Sequence, residues 1–362
     1  MDFDLSEDQL ALRDGARALL DDRAATTRVR EVAAATEGWD RDLWEAMVDQ
    51  GWLGIAVPEA EGGVGYGAVE LAVLLEEVGR HVAPAPFLPT VVALEVFRRV
   101  GDIRAVERAL AGDLRACVAW SRDPSTVRAE HAGGEWALTG RAGPVPFAPV
   151  ADVALVVASD ADGPGLFGVD LDVLGRPDRE PAMDLTRPLG WLTFDGTPAW
   201  RLGDADLVRA MLDLGATATA LEMLGGASTV LDLAVDYAKE RVQFGRPIGS
   251  FQAVKHRCAD MLVDVEGMRS TAYWAAWCLA ADDPDQSIAA STAKTWGSDA
   301  SKRVMASALQ VHGGIGFTWE HDLHLFLKRA QLDQLSFGDA VFHRERLAGL
   351  LRPKVEAGES VV

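Results

Sequence analysis

Cysteine is scarce in this chain. Its 362 residues hold three, Cys117, Cys258 and Cys278, spaced too widely for a metal-ligand pattern or a disulfide framework. That excludes a disulfide-stapled scaffold and makes a reducing, cytoplasmic compartment the expected one. Positive charge is also short. Lys and Arg total 35 against 55 Asp and Glu, a net charge of −20. A surface that acidic repels a phosphate backbone, so general nucleic-acid binding is excluded, although one local basic pocket for a phosphate-bearing cofactor is not. No uncharged apolar run reaches the roughly 18–20 residues of a membrane span. The longest candidate, STAYWAAWCLAA, reads as a buried helix. The opening MDFDLSEDQLALRDG is acidic and lacks the basic and apolar regions of an export signal, so none is expected.

What remains is ordinary globular composition, 49% hydrophobic and 25% charged, on a chain long enough for two or three domains. Ser6 and Gln9 have capping-box spacing, and Leu5 and Leu10 flank them at the spacing of a hydrophobic staple. Apolar residues then recur at helical intervals through Leu12, Ala16, Leu19 and Leu20. DRDLWEAMVDQGWLG and AVELAVLLEEVGRHV also read as amphipathic helices, separated by the Pro- and Gly-rich turn VPEAEGGVGYG. Near Gly112 the character changes. RACVAW, EWALTG, VADVALVVAS, GPGLFGVDL and LGWLTFDG are short β-rich runs punctuated by Gly, Pro and Asp, as in a small antiparallel barrel or sandwich. Helical periodicity returns near Asp206 and continues towards Leu351, with one loop at ADDPDQ. Helices, then strands, then helices is α+β segregation. The expected organisation is a helical domain over 1–112, a β-domain over 113–203, a helical bundle over 204–352 and a tail over 353–362.

That order, with these lengths, resembles the acyl-CoA dehydrogenase family: an N-terminal helical domain, a middle β-barrel domain and a C-terminal four-helix bundle. DFDLSEDQLALRDGAR is similar to the family's opening helix, and GWLGIAVPEAEGGVGYG to its Gly- and Pro-rich turn. YAKERVQFGRPIGSFQAVKHRCADM and ALQVHGGIGFTWEHDLHLFLKRA resemble its two diagnostic C-terminal runs. The resemblance implies FAD as cofactor, an acyl-CoA thioester as substrate and an electron-transfer flavoprotein as electron acceptor. It also implies an FAD site that lies across a subunit interface. Carried over residue by residue, it makes Arg241 the phosphate contact, a fork of donors matched to phosphate oxygens. Gln243 adds a polar contact, Phe244 an apolar face, and Gln252 a further amide. Gln310 supplies another amide, and Gly313 and Gly314 a backbone that can be approached closely. His312, in the same run, reads as a packing residue. His321, His324 and His343 form no metal-ligand constellation, so no metal is proposed.

The resemblance breaks where the chemistry should be. Desaturation removes a proton from Cα while hydride leaves Cβ, and the proton needs a carboxylate base. Most of the family carries that Glu in a Glu-Gly-Thr turn, where Phe337, Gly338 and Asp339 align here. A minority carries it at the start of a long helix, where Gly215 and Ala216 align. None of Phe337, Gly215 and Ala216 can accept a proton, so no catalytic residue is assigned. Asp213 should point elsewhere, and Glu222 is assigned to packing or an interface. Asp339 is the best local substitute. The segments expected over the flavin ring are replaced by WSRDPSTVRAE and GRAGPVPFAPVAD, where Pro144, Pro146 and Pro149 remove backbone donors. The pattern resembles the base-lacking subunit of the α2β2 heterotetramers that act on bulky acyl-CoA substrates such as steroid side chains. The implied partner is a homologous subunit carrying the catalytic Glu. The alternatives are a self-sufficient acyl-CoA dehydrogenase using Asp339, a flavin oxidase or monooxygenase on the same scaffold, and a non-catalytic binding protein.

Overall fold

The computed structural model describes residues 4–359. The first three positions of the expected N-terminal segment and the last three of the expected tail lie outside the described residues. In chain order the first elements are α1 (Glu7–Arg23), α2 (Thr26–Ala34), α3 (Arg41–Asp49), α4 (Ala68–Arg80), α5 (Phe87–Val100) and α6 (Ile103–Leu110). Then come β1 (Ala116–Ala119), β2 (Val127–Ala132), β3 (Glu135–Pro146), β4 (Val153–Asp160), β5 (Gly163–Asp170), α7 (Leu171–Leu174) and β6 (Leu189–Gly203). The remainder is α8 (Ala205–Glu240), β7 (Val242–Gln243), β8 (Arg246–Pro247), α9 (Gln252–Ala280), α10 (Gln286–His312), α11 (Leu323–Asp333) and α12 (Ala340–Glu356). These elements gather into two compact units: Arg28–Leu71 with Pro84–Gly215, and Met1–Thr27 with Ala72–Ala83 and Ala216–Val362.

The unit holding the strands is built on a six-stranded sheet of order β1-β4-β2-β3-β6-β5, closed by a β4–β5 pairing. It is a barrel, but not wholly antiparallel, because β1 runs parallel to β4. β4 is buried at six consecutive positions, which explains why VADVALVVAS is apolar without alternation. β3 and β6 pair with two register shifts, between Leu138 and Gly140 and between Ala142 and Val145. Cys117, Leu138, Val156, Phe167, Leu192 and Phe194 fill the barrel core. β2 forms inside the segment aligned with a flavin-ring loop, pairing with β3 from Val127 to Ala132.

The other unit is helical. α1 opens with the capping box expected of its sequence: Gln9 N–H donates to Ser6 Oγ, and Ser6 N–H donates to Gln9 Oε1. α10 packs on α9 and α12. Its buried face is made of small residues, among them Ala290, Ala293, Gly297, Ser298 and Ala300, which let the neighbouring helices come close. α4 crosses α8 at backbone contact. A Cβ on Gly79 would fall 2.0 Å from the Glu222 carbonyl oxygen, and one on Gly225 would fall 1.9 Å from that of Glu76. Only glycine fits either position. α8 is the one described helix long and apolar enough to cross a membrane, but 78% of its apolar window is buried in the protein. STAYWAAWCLAA lies in α9, where Ala272, Ala275, Ala276 and Cys278 are buried, as its reading as a buried helix expects.

Candidate functional site

All seven sequence-predicted contact residues fall in the helical unit, in three short segments. The first follows α8. Arg241 N–H still donates to Tyr237 O as the helix ends, and Ile248 N–H donates back to Arg241 O at 2.8 Å. Between them β7 and β8 form a two-stranded ribbon turning at Phe244 and Gly245, with φ of 54° and 77°. Two left-handed residues in a row match the right-handed twist of a tight hairpin. Glycine takes that geometry freely, but for phenylalanine it costs about 1 kcal/mol. The Phe244 ring is nevertheless 91% exposed, with only its edge near Phe251. Gln243 is exposed, and its amide donates to the Val242 carbonyl. Arg241 is exposed too, and no described residue pairs with its guanidinium. That leaves its full set of five N–H donors for something outside the chain.

The second segment is Gln252, exposed at the first turn of α9. The third is the end of α10. Gln310 is exposed in its last turn, and Gly313 terminates it with φ 62° and ψ −139°, a conformation essentially closed to other residues. A Cβ on Gly314 would meet nothing within 4 Å. No packing among the described residues demands glycine there, so its backbone is open to an external group.

His312 brings these segments together. It is 3% exposed, and its Nδ1–H donates to Ala308 O at 2.8 Å. Its ring stacks on Tyr237 at 4.8 Å and meets His321 edge-on at 4.5 Å. One buried imidazole thus ties the α8 end, the α10 end and the loop before α11. This is the packing role expected of it.

The turn aligned with the catalytic Glu has a structure that sequence reading did not anticipate. Phe337 and Gly338 are both left-handed, at φ 52° and 95°. His343 Nε2–H donates to Phe337 O at 2.8 Å. Lys294, fully buried, donates from Nζ to Gly338 O at 2.8 Å, Gln334 O at 3.0 Å and Ser298 Oγ at 3.3 Å. Burial pulls the Lys294 ammonium down to about 7, against the opposing attraction of Asp333 and Asp339. Burial likewise pushes His343 down to about 3, so it stays neutral and keeps its acceptor, the Phe337 carbonyl. Asp339 is occupied as the N-cap of α12, accepting from Phe342 N–H at 2.8 Å. Glu222 is buried and receives Arg329 NH1 at 2.5 Å, which bears out its assignment to packing. The signal for Lys294 was a lone lysine in ASTAKTWGSDAS, on the small-residue face and one turn from Ser298. Among the described residues, no group of three or more His, Cys, Asp or Glu could hold a metal.

Comparison with known proteins agrees with this architecture. Residues 6–111 match the acyl-CoA dehydrogenase N-terminal domain, and residues 205–350 the acyl-CoA dehydrogenase C-terminal domain. Acyl-CoA dehydrogenase IpdE2 of Mycolicibacterium smegmatis is 34% identical over 90% of this chain and 93% of its own length. A solved structure of the Tcur3481-Tcur3483 steroid ACAD G363A variant superposes with a TM-score of 0.90 at 35% identity, over 97% of this chain and 99% of that one. The ChsE4-ChsE5 complex from Mycobacterium tuberculosis gives 0.91 at 31%, with the same coverage. The chain belongs to the acyl-CoA dehydrogenase family.

Proposed function

We propose that this chain is the base-lacking subunit of a heteromeric, FAD-dependent acyl-CoA dehydrogenase. The observation that carries the reading is the Phe337 turn. It is rigidly held by Lys294 and His343, yet presents phenyl where a carboxylate is required. Phenylalanine cannot take a proton, and Asp339, beside it, is spent on a helix cap. The proton acceptor therefore belongs to a homologous partner subunit. FAD, when bound, supplies the hydride-accepting chemistry. This chain's contribution is to hold the cofactor's phosphate and adenosine end. Arg241 offers the charge and a forked donor set, Gln243, Gln252 and Gln310 offer amides, and Phe244 an apolar face. Gly313 and Gly314 leave the backbone open to close approach. A guanidinium with no partner among the described residues, three positions before a 91% exposed aromatic, supports that reading.

The substrate class follows from the named structural relatives, a steroid enzyme and a two-component complex: a bulky acyl-CoA such as one with a steroid side chain. An electron-transfer flavoprotein is the proposed acceptor and the cytoplasm the proposed location. The test is purification of the chain alone and with a base-bearing homologue. The expected result is little FAD and no desaturation from the lone chain, and both from the pair. Full FAD occupancy with turnover by the lone chain would refute the reading and return Asp339 to consideration as base.

A further inference from the structure

The helical unit also holds a cleft that none of the hairpin or Gly313-turn residues lines. Three helices and the segment before α1 enclose a cleft of about 490 Å³. Its floor is Glu76, 7% exposed, with Glu77 beside it at 1%. Both acids are satisfied. Glu76 receives Arg269 NH1 at 2.7 Å and the Tyr273 hydroxyl at 2.8 Å. Glu77 receives the Arg17 fork at 2.6 and 3.0 Å. Burial and the neighbouring Glu76 push the Tyr273 phenol up, so it remains a donor.

The wall is different. Arg13 and Arg80 line the cleft with only rim carboxylates for company, Asp14 and Asp232, themselves 65% and 62% exposed. Pairs that exposed are worth little in water and exchange readily. Arg269 adds Nε and NH2, whose contacts to Glu266 and Ser228 are loose at 3.4 Å. Three guanidiniums with donors to spare therefore line one small volume, in a chain whose net charge is −20. Leu5 and Leu10 also line the cleft and supply its apolar surface. Asp4 and Glu266 also line the cleft and limit it to a single negative charge.

We propose that this cleft binds an amphipathic monocarboxylate, its carboxylate on Arg13, Arg80 and Arg269 and its short hydrocarbon arm on Leu5 and Leu10. A cavity this size accommodates a small metabolite, and a few placed charges on an apolar wall fix its orientation. A phosphate dianion has the wrong charge and no arm, and an alcohol of equal length has no charge.

The test titrates sodium hexanoate into the full-length chain by calorimetry at constant ionic strength, with hexan-1-ol and inorganic phosphate as matched probes. Hexanoate should saturate one site, and each of the other two should bind about tenfold more weakly, the loss of one charge-assisted contact. Arg80→Gln and Arg13→Gln should each weaken hexanoate by at least about threefold. Arg209→Gln, on an exposed helix surface, should leave it unchanged. Arg13 is partly exposed and pairs with the exposed Asp14, so an unchanged melting temperature in Arg13→Gln keeps the result interpretable. Absence of saturation, phosphate binding equal to hexanoate, or full affinity in the folded Arg13→Gln and Arg80→Gln variants would each overturn the proposal.

Discussion

Replacing Arg241 by alanine separates cofactor binding from folding more cleanly than any other single change. The guanidinium is exposed and has no partner within the described chain, so its loss should alter stability by no more than about 0.5 kcal/mol. If it clamps a phosphate of FAD held across the subunit interface, it contributes on the order of 1.5–3 kcal/mol to that binding. At about 1.4 kcal/mol per factor of ten, FAD affinity in the assembled complex should fall roughly ten- to hundredfold. Arg241→Lys should recover part of the loss, because a point charge replaces a two-pronged donor. Arg257, exposed on α9, is the matched control, and Arg257→Ala should change nothing. The assay is FAD absorbance after desalting, read beside a thermal melt. Unchanged FAD content in Arg241→Ala, with the complex intact, would show that the hairpin is not the phosphate contact.

Two further perturbations test the buried charges. Lys294 has a folded pKa of about 7 against an ordinary 10.5, so between these values the unfolded chain binds the extra proton. Stability should therefore rise with pH from about 7 towards 10.5 by an amount on the order of a few kcal/mol, the burial cost being fully present below pH 7. Denaturation midpoints across pH 6–9 should show that rise in the native chain and lose it in Lys294→Met; an unchanged slope in the variant would disprove the assignment. Removing one member of the buried Glu222–Arg329 pair strands the other, so Arg329→Met should cost about 3–5 kcal/mol in denaturant titration. The double replacement Glu222→Leu with Arg329→Met should recover much of that loss, and strict additivity of the two would contradict the pairing.

What could be read from the sequence was local or periodic. The Ser6–Gln9 capping box lies within four residues, and the β4 run declares itself by an unbroken apolar stretch. The hairpin after Arg241 was not legible: the expected helical periodicity continues from Asp206 towards Leu351 with one loop at ADDPDQ, whereas α8 ends at Glu240 and the chain turns at Phe244 and Gly245. Much else that could not be read depends on partners far apart in the chain. Lys294 meets Gln334 and Gly338 some forty residues on, and Arg269 meets Glu76 across 193. Neither pairing leaves a periodic trace. α5 was not singled out as a helix, and it is buried at every position from Phe87 to Leu94, so its apolar residues form a nearly continuous run there instead of a narrow stripe. β2 was hidden for a related reason. Only Val127 and Ala129 of its six residues are buried, and its exposed half reads like loop.

The held turn at Phe337 separates two ways of losing a catalytic base. If the whole loop had been released from constraint, nothing would maintain a phenylalanine in a left-handed conformation that costs about 1 kcal/mol. Nor would a lysine be kept fully buried to donate to two of the loop's carbonyls. Burying an ammonium is among the more expensive things a small bundle can do, and it is tolerated here because three acceptors and two nearby carboxylates surround it. On the proposed function, the scaffold of that turn is kept while its carboxylate is replaced by phenyl. A subunit that must match a catalytic homologue in shape, with proton transfer left to the other, needs that combination. A scaffold protein free of the reaction needs neither the held turn nor the unpaired Arg241.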